Sequence, residues 1–129
     1  MKLDNIYKKT AFKLYSIIQN RRSNKIISNN KKYYNKILEY IELFNSKTSF
    51  KKSPELKWRL THLVNIFDKN NLKTVVEIGT GRTTLLFNFY KKIKKINQCN
   101  SIEQNLNFSI FMNNFFKEID LECNIIDSK

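Results

Sequence analysis

The sequence predicts an α/β fold, with N-terminal helices followed by a parallel sheet of element order β-α-β-α-β. Three observations support this prediction. The 129 residues suffice for one ordinary domain. Apolar residues recur at three- and four-residue spacing through residues 5–44. From residue 74 onward, short β-branched or apolar segments alternate with helical patterns, and such alternation favours parallel strands.

The first 52 residues predict two helices and a linker. A first amphipathic helix covers residues 5–19 and ends at residues 21–24; its apolar face holds Tyr7, Ala11, Leu14, Tyr15 and Ile18. A second runs from about residue 32 to 44; its apolar face holds Tyr34, Ile37, Leu38, Ile41 and Phe44. The polar segment 45–52 predicts a linker. We therefore expect a basic helical extension over residues 1–52 and a separate cofactor-binding domain over residues 53–129.

The second domain begins with a clear helix start. Ser53, Pro54 and Glu55 combine an N-cap hydroxyl, a proline at the first helical position and an early acid. This helix continues to about residue 69, with Leu56, Leu60, Leu63, Val64 and Phe67 facing inward. The strands predicted after it cover residues 74–78, about 98–103 and 123–126, and the helices between them cover about 83–92 and 106–119.

The formal net charge of +13 makes a nucleic acid a candidate partner, because clustered Lys and Arg attract polyanions. Thirteen of the basic residues and only three acidic ones fall in residues 1–52. A second hypothesis follows, a basic RNA-binding module without catalysis, because this segment also carries aromatic residues that could stack bases: Tyr7, Tyr15, Tyr33, Tyr34 and Tyr40.

Other classes of protein fit the sequence poorly. No apolar run approaches the length of a membrane span, and the first residues lack a signal-peptide pattern, so we expect a cytoplasmic protein. Cys99 and Cys123 fall in predicted strands as small buried thiols. Together with His62, the single histidine, they do not form a zinc ligand set, and we predict no metal site.

The two glycines of the chain, Gly79 and Gly81, both lie between the first predicted strand and the helix that follows. Glycine permits positive φ and close approach of a ligand to the backbone. A turn that opens a helix also presents free N–H groups. In parallel α/β sheets, ligands bind at the carboxyl ends of strands, so this turn lies where a cofactor would bind.

Residues 75–84, Val-Val-Glu-Ile-Gly-Thr-Gly-Arg-Thr-Thr, resemble motif I of class I S-adenosylmethionine-dependent methyltransferases. The resemblance implies a partial Rossmann-like sheet in residues 53–129 and S-adenosyl-L-methionine as cofactor. It assigns the loop around the methionine and ribose portions to Glu77, Gly79, Thr80 and Gly81. It also assigns Glu103, at the end of the second strand, to the ribose hydroxyls, and Asp127, after the third strand, to the adenine amino group.

A dinucleotide-binding Rossmann fragment is the nearest alternative, since Glu103 follows the glycines at a spacing that such sites also use. Two residues argue against it. Thr84 stands where the dinucleotide pattern needs Gly or Ala, and the acid at Glu77 suits an ammonium and a sulfonium better than a pyrophosphate.

The sequence shows no acceptor-side motif, so the methyl acceptor and the catalytic residues are not identified. Class I methyltransferases continue into further strands, and we expect a truncated gene product, a fragment, or a chain completed by a partner. The first strand would then be an unpaired edge, which predicts self-association or a completing partner.

Overall fold

The computed structural model describes residues 2–128 and shows a mixed α/β fold with five helices and a three-stranded parallel sheet. The helices are α1 (Lys2–Asn29), α2 (Lys31–Lys47), α3 (Pro54–Lys69), α4 (Arg82–Lys92) and α5 (Leu106–Glu118). The strands are β1 (Thr74–Ile78), β2 (Gln98–Glu103) and β3 (Ile125–Asp127). Met1 and Lys129, the outer limits of the two predicted domains, lie outside the described residues.

The sheet has the order β1-β2-β3, and both pairs of strands are parallel, as predicted. Its register aligns Ile78 with Ile102 and Glu103 with Asp127, so the carboxyl ends of all three strands meet at one edge of the sheet. Within the described chain, β1 is an outer strand, also as predicted. Val76 and Ile78 are 62% and 83% exposed there.

Helix α3 begins as its sequence predicts. The Ser53 side chain accepts a hydrogen bond from the Leu56 N–H at 3.2 Å, and Pro54 occupies the first turn. Leu56, Leu60 and Val64 are buried on its inner face. The N-terminal part of α3 lies beside the glycine turn, because Leu56 and Arg59 line the same groove as Gly79 and Gly81.

The core joins α2 to α4 and α5. Phe44 of α2 is fully buried, and its ring lies 5.5 Å from that of Phe115 and 6.1 Å from that of Phe111. The predicted apolar face of α2 is confirmed, because Tyr34, Ile37, Ile41 and Phe44 are buried. The predicted linker begins too early, since α2 continues through Lys47.

Helix α1 corrects the prediction most strongly, because it does not end at residues 21–24 but continues to Asn29. Tertiary contacts hold the added turns: the hydroxyls of Ser23 and Thr61 of α3 are buried 2.8 Å apart, and Ile26 and Ile27 pack against the core. Of the apolar face predicted for this helix, Tyr15 contacts another ring, that of Trp58 at 5.6 Å, and most of the rest is exposed. Leu14 and Ile18 are 58% and 63% exposed.

The two cysteines differ in their surroundings. Cys99 is buried in β2, as predicted, and burial raises its pKa to about 11. Cys123 does not lie in a strand, which corrects the prediction, because β3 begins only at Ile125. The turn after α5, where Asp120 has a φ of 54°, places residues 121–124 in the connection to β3. Both thiols are free.

Candidate functional site

The glycine turn lies at the carboxyl edge of the sheet, between β1 and α4. Gly79 has a φ of 80°, a conformation that favours glycine, while its N–H donates to the Ile102 carbonyl at 2.8 Å. Gly81 is extended, a conformation that any residue adopts. A Cβ added at Gly81 would meet nothing within 4 Å. Gly81 is also the N-cap residue of α4, a position that favours glycine over bulky apolar residues. Both glycines of the turn face open space.

Glu77 lies beneath the turn with its carboxylate directed inward, and it is 8% exposed. It accepts hydrogen bonds from three hydroxyls: Thr83, Thr84 at 2.6 Å and Ser101 at 3.0 Å. Burial raises the pKa of this carboxyl, and the three donors offset part of that increase. Glu77 thus ties β1, β2 and the first turn of α4 together below the glycines.

Thr84 connects the glycine turn to this carboxylate. Its hydroxyl donates to Glu77 and accepts from the Gly81 N–H at 2.8 Å, and the side chain is fully buried. The N–H of Gly81 is therefore already paired within the protein. Thr84 fixes the start of α4 in a position that leaves the outer side of the turn open.

Glu103, at the end of β2, holds the turn from the other side. One carboxylate oxygen accepts from the Thr80 N–H at 2.9 Å and from the Thr80 hydroxyl at 2.6 Å. The other oxygen accepts from the Asn105 N–H at 2.9 Å. Burial alone would raise the pKa of Glu103, but these donors outweigh burial and lower the pKa below its usual value.

Asp127 is exposed at the end of β3, in register with Glu103. Because β2 lies between β1 and β3, Asp127 is two strand spacings, about 10 Å, from the glycine turn. The structure therefore places the six sequence-predicted residues along one sheet edge. Glu77 is buried, the glycine turn is open, Glu103 already accepts hydrogen bonds from the protein, and Asp127 is exposed.

An open groove of about 540 Å³ lies along the turn. Four of the sequence-predicted residues line it: Glu77, Gly79, Thr80 and Gly81. Glu103 and Asp127 are not among its lining residues. Phe50, Leu56 and Arg59 also line it, so α3 and the segment before it form part of the wall of this open groove.

Arg59 and Arg82 also line this groove, and sequence reasoning did not identify them. The Arg82 guanidinium lies 5.0 Å from the centre of the Phe50 ring and donates to the Lys51 carbonyl at 2.8 Å. Burial and the nearby charge of Arg59 lower the pKa of Arg82. Arg82 could have been found from its position after the glycines. Arg59 gives no local signal, because only the packing of α3 brings it to the groove.

The five tyrosines that suggested RNA binding do not form one surface. Tyr34 and Tyr40 are buried in the core, and Tyr33 is half-buried, with its ring 6.2 Å from that of Phe89. Tyr7 and Tyr15 are exposed on α1. Most of this aromatic set therefore stabilises the fold and is not available to stack bases.

Comparison with protein-family models, curated proteins and solved structures finds no match to this chain. Within residues 2–128, no helix is long and apolar enough to cross a membrane.

Proposed function

We propose that the glycine turn binds S-adenosyl-L-methionine and that the chain is the cofactor-binding portion of a class I methyltransferase with a partial Rossmann-like sheet. The observation that carries this proposal is the open space at Gly81, an extended residue with nothing within 4 Å of its Cβ position. That space lies at the carboxyl edge of a parallel sheet, where α/β folds bind cofactors.

The groups around the turn fit the parts of this cofactor. The groove beside Gly79 and Gly81 would take the methionine portion, and Arg59 and Arg82 would provide positive charge for its carboxylate. The Glu103 carboxylate already accepts three hydrogen bonds, one of them from the Thr80 hydroxyl. A ribose hydroxyl would take the place of that Thr80 hydroxyl, which would rotate away. By resemblance, Asp127 would face the adenine amino group.

When bound, the cofactor supplies a methyl group on a positively charged sulfur. The role of this chain is then to hold that group in a fixed position for an acceptor, since alignment contributes much of the rate of a transfer between two bound molecules. The buried hydrogen bonds of Glu77 and Thr84 keep the turn in one conformation before the cofactor arrives. No acceptor and no catalytic residue is assigned.

A dinucleotide would fit the turn less well. Its pyrophosphate normally takes free N–H groups at the helix start, but the Gly81 N–H is already paired with Thr84. Thr84 is also buried where a dinucleotide site needs a residue without a bulky side chain. The two arginines of the groove would suit a pyrophosphate, which is why NAD is the competitor to test.

The sharpest variant for this proposal is Gly81→Val. The extended backbone and the empty space predict a folded variant that loses only a favoured N-cap residue, roughly 1 kcal/mol, whereas the new side chain would fill the space that the cofactor needs. Calorimetric titration with S-adenosylhomocysteine should show binding to the parent chain and none to the variant. Asn97→Val, an exposed position at the amino end of the sheet, is the matched control and should bind normally. Equal binding by Gly81→Val would contradict the proposed site.

A further inference from the structure

The largest group of exposed apolar side chains lies on α1. Eight bulky apolar residues within its first 18 positions are exposed: Leu3, Ile6, Tyr7, Phe12, Leu14, Tyr15, Ile17 and Ile18. Leu3, Tyr7, Leu14 and Ile18 lie on one line of the helix, because their spacing of four and seven residues matches whole turns. We call this line the outer face of α1. A contiguous exposed apolar patch of this kind marks an interaction surface.

Polar contacts attach the opposite side of α1 to α3. The hydroxyls of Ser23 and Thr61 lie 2.8 Å apart and are both buried. The Trp58 indole N–H donates to the Asn20 side chain at 2.9 Å. Since these bonds fix the rotation of α1 about its axis, the outer face is held away from the protein.

Basic residues surround and continue the outer face. Residues 2–29 contain seven basic residues and one acidic residue. Lys8 and Lys13 lie at its two borders, and Arg21 and Lys25 follow on the same line as Leu14 and Ile18. Within the described chain, the ion pairs all join side chains beyond α1, so these cations are available to an external anion.

The charge and the apolar side chains of the outer face together indicate which kind of partner it binds. A second copy would bring a chain of net charge +13 against another of the same charge. A nucleic acid would pair with the cations but leave Leu3, Leu14 and Ile18 in water. An anionic lipid surface accepts aliphatic side chains at the acyl boundary and cations at the headgroups.

We propose that α1 docks the protein on an anionic lipid surface, with its outer face at the acyl boundary and its Lys and Arg side chains on the lipid phosphates. Because the attached side of α1 is bonded to α3, the folded domain would stay on the aqueous side. This docking does not depend on what the glycine turn binds.

Vesicle flotation of the full chain tests the proposal. Phosphatidylcholine vesicles that contain phosphatidylglycerol should carry the protein, and vesicles of phosphatidylcholine alone should not. The double variant Leu14→Ser/Ile18→Ser should lower the partition coefficient about tenfold or more, because two aliphatic side chains leave the lipid. Arg21→Gln/Lys25→Gln should lower it about tenfold as two headgroup contacts are lost.

Matched controls exist elsewhere on the surface. Leu106→Ser/Ile110→Ser removes two side chains of similar exposure, one turn apart on α5, and should float like the parent chain. Lys69→Gln/Lys73→Gln removes two exposed cations away from α1 and should have a smaller effect. Circular dichroism and melting temperature establish that each variant is folded.

Three results would overturn the proposal. The first is no flotation with the anionic vesicles. The second is an equal loss in Leu106→Ser/Ile110→Ser, which would indicate non-specific adsorption. The third is binding to oligouridylate with a steep salt dependence but not to vesicles, which would assign α1 to a nucleic acid. Bases that stacked between α1 and α3 would also quench the fluorescence of Trp58, the single tryptophan of the chain.

Discussion

Residues 31–128 and helix α1 are built in opposite ways. In residues 31–128, apolar side chains such as Phe44 and Tyr90 are fully buried, and the buried acid Glu77 has three hydroxyl donors. In α1, polar side chains such as Ser23 face the protein, while Leu14 and Ile18 face outward. Residues 31–128 therefore contain most of the shared core and leave a smaller number of bulky apolar side chains exposed, Val76 and Ile78 among them. Helix α1 contacts that core through Ile26 and Ile27, whereas Leu14 and Ile18 have no apolar partner within the described chain.

The largest expected effect separates the two regions by stability. Phe44→Ala should cost about 3 to 5 kcal/mol of unfolding free energy, because it opens a cavity among the aromatic rings of α2 and α5. The matched variant Phe12→Ala, on α1 and 55% exposed, should cost less than about 1 kcal/mol. Urea unfolding measures both values. Equal costs would mean that α1 belongs to the same cooperative core.

A smaller effect concerns the two acids of the site, whose pKa values shift in opposite directions. The lowered pKa of Glu103 contributes stability above its usual value of 4.5, and that contribution is lost as the pH falls through the folded-state pKa. The raised pKa of Glu77 contributes stability below 4.5, and that contribution is lost as the pH rises through its folded-state pKa.

Urea unfolding across this pH range should therefore separate two variants. The advantage of the parent chain over Glu103→Gln should shrink as the pH falls below 4.5, the usual value for this carboxyl. The unfolding free energy of Glu77→Gln should rise relative to that of the parent chain as the pH rises above 4.5. Slopes of the same sign in both variants would contradict the opposite environments of these acids.

Local sequence patterns predicted the elements that carry the site. Ser53 and Pro54 mark the start of α3, and the two glycines mark the junction of β1 and α4, because capping and turn conformations depend on neighbouring residues. The parallel sheet and the outer position of β1 also followed from the order of the elements. These features need little information from distant parts of the chain.

Features set by tertiary contacts could not be predicted in this way. Helix α1 continues past residues 21–24, where Ser23 is buried against Thr61 of α3 and Ile26 and Ile27 pack against the core. Arg59 reaches the groove only through the packing of α3. The inward orientation of Glu77 likewise depends on Ser101, a residue of the neighbouring strand. The sequence predicts Glu77 as a residue of the site but does not show that its carboxylate already accepts hydrogen bonds from hydroxyls of the protein.

Isothermal titration calorimetry of the full chain with S-adenosylhomocysteine and with NAD distinguishes the two candidate ligands of the glycine turn. We expect saturable binding of one S-adenosylhomocysteine per chain and much weaker binding of NAD, since the Gly81 N–H is already paired and Thr84 fills the position beside the helix start. Binding of NAD with equal or higher affinity, or no heat with either compound, would contradict this expectation.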